Sequence, residues 1–158
     1  MSQFEGSPMS VSTTALPAGS RLALLRKPGD FLDCYAVPSN LDPRRAAEII
    51  VTFPGWARLL LELRRIVTAP FGLSQDGPDA ADKLGPFPVE HADAEEIVAG
   101  FDDRHLNFRV SVLSREGRVH LATWVDPHNW GGRLYLTLIL PFHIAIARNA
   151  LARVARAG

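Results

Sequence analysis

Residues 128–156 read HNWGGRLYLTLILPFHIAIARNALARVAR. This segment has the apolar content of a buried helix, and it also carries Arg133, Tyr135 and His143, which a purely structural helix does not require. Its apolar residues recur at helical spacing through the segment. The sequence therefore predicts one long helix from about residue 130 to 156, kinked at Pro141 because proline removes a backbone hydrogen bond.

A second interpretation of the same segment stays open. Leu134, Leu136, Leu138 and Leu140 alternate as in a strand that ends at Pro141, so residues 129–140 can also be read as a last strand before a shorter helix. Both interpretations place an apolar C-terminal helix against the rest of the domain.

The residues upstream of this helix predict a strand, two helices and an antiparallel meander. Asp42 followed by Pro43 is a helix-start signal, and Arg115 to Arg118 supply a hairpin turn. The predicted elements are a strand at 30–37, helices at 43–51 and 56–71, a loop at 74–88, and strands at 95–101, 105–113 and 119–125.

The chain of 158 residues fits a single domain, which we expect at residues 21–158 behind a flexible tail at residues 1–20. The tail is rich in Ser, Thr, Gly and Pro and lacks the apolar core of a secretory signal. Met1 and Met9 are equally acceptable as the biological start.

Composition restricts the class of protein. Seventeen basic residues balance seventeen acidic ones, so we expect no nucleic-acid partner. The single Cys34 is typical of a reducing compartment, and we expect a cytoplasmic protein. The segment from Leu134 to Ala147 contains Pro141 and His143 and has no run of about twenty apolar residues, so no transmembrane segment is expected.

Two short stretches carry a resemblance. GFDDRHLNFR at residues 100–109 and NWGGRLY at residues 129–135, followed by PFH at 141–143, resemble a bacterial domain family of unknown function. The order of the elements resembles the helix-grip fold of the START-like, polyketide-cyclase-like superfamily, an α+β fold in which a curved antiparallel sheet wraps a long C-terminal helix.

The resemblance also bears on cofactors and partners. Some relatives carry this domain behind an NAD-binding, epimerase-like domain, which implies a separate NAD-dependent oxidoreductase as a partner. No Gly-rich dinucleotide turn follows a strand in this chain, so we expect no cofactor. The five histidines lack the paired spacing of a helical zinc motif, and no metal site is expected.

The candidate site lies between the sheet and the C-terminal helix. Tyr135 and His143 fall on one stripe of that helix, and each needs a hydrogen-bond partner in the sheet, in water or in a ligand if it is buried. The alternating faces of the strands supply the apolar candidates Phe108, Val110, Leu121 and Thr123, and Arg133 stands near the helix start as a partner for Asp126 or an anionic ligand.

The sequence supports three functions, in order of preference: the first two use this site, and the third uses another surface. The first is a module that binds a small apolar or amphiphilic ligand in a cavity. The second is a cyclase- or hydratase-type enzyme in which His143 and Tyr135 act as acid and base. The third is a protein- or lipid-surface module built on the helix from Trp56 to Phe71 and the arginines near it.

Overall fold

The computed structural model describes residues 10–55, 57–59, 62 and 80–158. Within these ranges, seven strands form one antiparallel sheet in the order β1-β2-β7-β6-β5-β4-β3, and α-helices and a 3₁₀ turn accompany it. The strands are β1 Ser12–Thr13, β2 Phe31–Pro38, β3 Lys83–Leu84, β4 Phe87–Ala92, β5 Glu96–Asp102, β6 Leu106–Arg115 and β7 Arg118–Pro127. The helices are α1 Pro43–Val51 and α2 Trp130–Ala157, and the 3₁₀ turn is Arg21–Leu24.

The long C-terminal helix is confirmed, and Pro141 lies inside it. Asn129 caps the start of the helix, because its side-chain oxygen accepts a hydrogen bond from the backbone N–H of Gly132 at 3.0 Å. Gly132 packs so closely that a Cβ there would lie 2.2 Å from the backbone oxygen of His105. The alternative of a last strand is wrong, because residues 134–140 continue the helix that this cap begins.

Two other local predictions are confirmed. Asp42 caps α1 by accepting a hydrogen bond from the Arg45 backbone N–H at 2.7 Å, and proline follows in the first turn. The turn between β6 and β7 has positive φ at Glu116 and Gly117, 53° and 74°, which is the conformation of a two-residue hairpin loop that matches the strand twist.

The two faces of the sheet have separate cores. The helix-facing side packs against α1 and α2 in the main core, which includes Val37, Leu121 and Leu151. The outer side carries a smaller core in which Leu22 of the 3₁₀ turn packs with Cys34 and Trp124. The 3₁₀ turn therefore closes the side of the sheet that neither α-helix covers.

The predicted flexible tail at residues 1–20 is corrected for its second half. Ser12–Thr13 pairs with β2 along the sheet edge, and Ser20 is buried on the outer side of the sheet. The buried Glu96 carboxylate accepts hydrogen bonds from the hydroxyls of Ser20 at 2.7 Å and Ser111 at 2.5 Å. This polar contact and the burial of Leu22 fasten the segment to the sheet, whereas residues 1–9 lie outside the described ranges.

The predicted loop at residues 74–88 is corrected from residue 83 onward. Lys83–Leu84 forms the edge strand β3, and Phe87–Ala92 forms β4, which pairs with β3 on one side and with β5 on the other. Gly85, Pro86 and Pro88 are typical of a loop, so the sequence did not predict strands here. Strands at the margin of a sheet nevertheless tolerate proline, which a central strand excludes. Of the predicted helix at residues 56–71, residues 57–59 and Glu62 are helical, and its other positions lie outside the described ranges.

These elements confirm the predicted α+β class and the helix-grip arrangement. An open antiparallel sheet lies against one long C-terminal helix, and α1 packs beside that helix on the same side of the sheet.

Candidate functional site

An imidazole and a carboxylate meet between the sheet and α2. The Nε2 atom of His143 lies 3.0 Å from Oδ2 of Asp33, which projects from β2. The side chain of His143 is 24% exposed and that of Asp33 is 15% exposed, so the pair is neither free in solvent nor sealed in the core.

The position of Asp33 follows from strand alternation. Phe31, Asp33, Tyr35 and Val37 occupy the helix-facing side of β2, because successive side chains point to opposite faces of a strand. Asp33 is thus a charged residue in a series that otherwise packs toward the helix. The ring of Phe31 stands edge-on to the His143 ring with 6.2 Å between the centroids, which holds the imidazole from the side.

One oxygen of this carboxylate remains available. Oδ1 of Asp33 is buried and has no hydrogen-bond partner among the residues that the structure describes. A buried acceptor without a partner costs free energy, so this oxygen favours a hydrogen-bond donor brought by another molecule.

Cross-strand registers arrange the helix-facing side chains in rows. The row of Asp33 continues through Thr123, Val110 and Ala99 to Val89. The row of Phe31 continues through Val125, Phe108 and Phe101. Val110 is two strands from Asp33, about 10 Å away at the usual strand spacing.

Several side chains in these two rows are only partly buried. Phe108 packs in edge-to-face contacts with Phe101 at 4.8 Å and with Phe87 at 5.4 Å between centroids, yet Phe108, Phe87 and Val110 are half-buried. In the next row toward the other end of the sheet, all four residues are buried: Tyr35, Leu121, Val112 and Ile97.

The burial of the sheet-facing side chains of α2 also decreases toward the N-terminal end of the helix. From residue 147 to the C-terminus, the sheet-facing side chains Ala147, Ala150, Leu151 and Val154 are buried. Between residues 135 and 144, the sheet-facing Leu136, Leu140 and His143 are half-buried. The helix and the sheet therefore pack tightly at one end and are partly open at the end that holds the Asp33–His143 pair.

The Asp33 charge reaches its neighbours on β2. Burial, and then the charge of the Asp33 carboxylate, raise the pKa of the Cys34 thiol to about 12. Burial and the same carboxylate raise the pKa of Tyr35, and Arg148 opposes this rise with its guanidinium 5.6 Å from the centre of the tyrosine ring. Both groups stay protonated at neutral pH, so neither of them adds a negative charge beside the Asp33–His143 contact.

The predicted site residues divide into three groups. Phe108 and Val110 lie in the two half-open rows, and His143 faces them from α2. Leu121 is buried in the closed core one row away. Tyr135 is half-buried two turns before His143, and Arg133 is exposed, whereas Asp126 pairs with Lys27 at 3.0 Å.

Asp33 was missed by sequence reasoning. The signal was present, because a carboxylate in an alternating series with Phe31, Tyr35 and Val37 needs a partner on the buried side. Its partner, His143, lies 110 positions away along the chain, so the local sequence pattern does not identify it.

Two further properties of the molecule bear on metal ions and on membranes. Among the residues that the structure describes, no three His, Cys, Asp or Glu side chains gather closely enough to hold a metal ion. By length and composition α2 could cross a membrane, yet its C-terminal half packs in the core of the domain.

A family model described as "Protein of unknown function (DUF2867)" matches residues 27–150, a range that includes both Asp33 and His143. No curated protein and no solved structure matches the chain. The match covers most of the sequence and the whole candidate site, and it ends before the last turns of α2. The chain belongs to the DUF2867 family of proteins of unknown function.

Proposed function

We propose that the domain binds a small, mostly apolar molecule between the N-terminal half of α2 and the sheet. The observation that carries this proposal is the half-open apolar interface that contains one imidazole–carboxylate contact, between His143 and Asp33. Ligand sites of this kind are lined by apolar and aromatic side chains and contain a few polar groups that orient the ligand.

The chemistry of the lining defines the ligand class. Phe87 and Phe108 offer ring surfaces for a flat or branched apolar body. Oδ1 of Asp33 can accept a hydrogen bond from a hydroxyl or amide of the ligand, since the other oxygen is already bonded to His143. The ligand is therefore a compact apolar molecule with at least one hydrogen-bond donor.

The proposal also includes the superfamily, the compartment and the partner of this protein. The order of the elements supports membership of the START-like, polyketide-cyclase-like superfamily of bacterial proteins. The buried, protonated Cys34 suits a reducing cytoplasm, and the resemblance to domains fused behind epimerase-like domains supports a separate NAD-dependent oxidoreductase as a partner.

A second candidate is a proton-transfer enzyme of the cyclase or hydratase type. The pair favours it, because a carboxylate that holds one imidazole nitrogen orients the ring, as in many general bases. In this version Asp33 orients His143, and Tyr135 on the same helix stripe supplies the acid.

Native mass spectrometry of the purified protein, compared with its denatured mass, tests whether a ligand is carried. A fluorescence titration with 2-naphthol, a flat apolar molecule with one hydroxyl, then tests the position of the site. We expect saturable binding, at least a fivefold loss in Asp33→Asn, and loss of binding in Val110→Asp, which places a charge in the same row.

Leu24→Asp is the matched control, because Leu24 is exposed on the outer side of the sheet. Equal 2-naphthol affinity in the wild type, Val110→Asp and Leu24→Asp, with all three folded, would remove the proposed site. If binding is retained in His143→Gln but turnover of a candidate carbonyl substrate is lost, the enzyme version is supported.

A further inference from the structure

An exposed apolar stripe runs along α2 on the side away from the sheet. Its members are spaced by four residues, and the exposed fractions are 77% for Trp130, 43% for Leu134, 62% for Leu138 and 51% for Phe142. Residues four apart lie on the same side of a helix, so these side chains form one strip about 18 Å long at 1.5 Å per residue.

The strip is not part of the candidate ligand site. His143 and Ala147 point to the sheet, whereas Leu138 and Phe142 point to solvent on the opposite side of the same helix. Exposed Pro141 and Ala145 fill the spaces along the strip. A continuous apolar surface of this size on a folded domain marks an interaction site.

The charges at the two ends of the strip identify the partner. Residues 134–147 contain no Asp, Glu, Lys or Arg, and α2 contains no Asp or Glu from Trp130 to Ala157. Arg133 and Arg148 border this segment and are both exposed. Arg148 also donates a hydrogen bond to the backbone oxygen of Val11 at 3.0 Å and lies over the Tyr35 ring, so its positive charge is held at the end of the strip. The nearby carboxylates of Asp102 and Asp126 are paired with Arg109 and Lys27.

We infer that this strip of α2 lies on an anionic lipid surface, with Trp130, Leu134, Leu138 and Phe142 in the apolar layer and the flanking arginines at the phosphates. A second copy of the chain fits less well, because an antiparallel pair of these helices would bring arginines together without a carboxylate on either helix. Anionic headgroups neutralise the same arginines, and an indole at the end of the strip suits the headgroup boundary.

The helix lies on the surface and does not cross it. Ala147, Leu151 and Val154 are in the core of the domain, so only the part of α2 before them can enter the apolar layer. That part has fewer than the roughly twenty residues that span a bilayer. The arrangement is that of an interfacial helix whose other face is held by the protein.

Vesicle co-sedimentation tests this inference with the full chain. The probes are vesicles of phosphatidylcholine alone and vesicles with about one third phosphatidylserine, each at low and moderate salt. We expect at least tenfold stronger sedimentation with the anionic vesicles, weakening as salt rises. We expect at least a tenfold loss in the double variant Trp130→Ser, Leu138→Ser, and a smaller salt dependence in Arg133→Gln.

Leu24→Ser is the control, since Leu24 is an exposed leucine on the other side of the molecule, and we expect it to bind as the wild type does. All of these positions are exposed, so the variants should fold, and their melting temperatures check this.

Three results overturn the inference. The first is equal sedimentation of the wild type and the double variant, and the second is no preference for anionic vesicles. The third is a dimer, seen by light scattering, that the double variant dissociates, which would assign the strip to a second copy. Titration of the same variants with 2-naphthol keeps this result separate from the ligand site, because the strip variants should bind that probe normally.

Discussion

Replacing Gly132 by alanine tests how α2 is seated on the sheet. A Cβ at this position would lie 2.2 Å from the backbone oxygen and 3.2 Å from the backbone carbon of His105. That carbonyl cannot turn away freely, because it accepts a hydrogen bond from the His128 backbone N–H at 2.9 Å. The helix start must therefore shift, which also strains the bond from Gly132 N–H to Asn129.

The expected loss follows from three terms. Overpacking costs about 1–3 kcal/mol and a weakened cap about 0.5–2 kcal/mol, while the better helix propensity of alanine returns up to about 1 kcal/mol. We expect the free energy of unfolding to fall by roughly 2 kcal/mol, which lowers the melting temperature by about 4–8 °C in a domain of this size.

Gly131→Ala is the matched control, one position earlier in the same turn. A Cβ there would meet the end of the flexible Asn129 side chain at 3.3 Å and the His105 ring at 3.9 Å, and no backbone atom of a neighbouring element. We expect a change within about 1 kcal/mol of zero, measured with Gly132→Ala by chemical denaturation. If the two variants are equally stable, the close approach at His105 does not hold the helix, and the reasoning is refuted.

Three other predictions concern the sheet. Glu96→Ala leaves two buried serine hydroxyls without their acceptor and should lower the free energy of unfolding by about 2–4 kcal/mol. Glu95→Ala, at an exposed neighbour, is the control and should change this free energy much less. Equal losses in denaturant melts would argue against the buried polar contact. Burial, and then the charges of two nearby arginines, lower the pKa of His120 below 6.5, so its protonation favours the unfolded chain and stability falls as pH drops below about 6.5. His120→Gln should flatten the dependence of unfolding free energy on pH between about 7.5 and 5, and an unchanged slope would contradict this assignment. Cys34 is buried, and burial is the larger cause that raises its pKa to about 12. A thiol reagent at about pH 8 should therefore label Cys34 slowly in the folded protein and quickly in denaturant. Rapid labelling of the folded protein would show that the outer core opens.

Local signals predicted much of the fold. Asp42-Pro43 marked the start of α1, and Glu116-Gly117 marked the hairpin between β6 and β7, because caps and tight turns depend on a few adjacent residues. The strands at residues 83–92 were missed, because their hydrogen bonds come from pairing and their prolines suit a loop equally well.

The candidate site could be predicted only in part. His143, Phe108 and Val110 were placed on the correct faces by the periods of a helix and of a strand. Leu121 shares that face but lies one row further into the closed core, since alternation assigns a face and does not tell how much of it is covered.

By itself the sequence determined α1, the central strands β2 and β5 to β7, and the part of the C-terminal helix that follows Pro141, because propensity, capping and periodicity act over a few residues. The tertiary structure alone decided that Asp33 bonds His143, that Glu96 fastens the N-terminal segment, and which part of α2 stays open to solvent. These features depend on strand register and on how far a helix extends past the sheet it covers. Both are set by packing between residues that are distant along the chain.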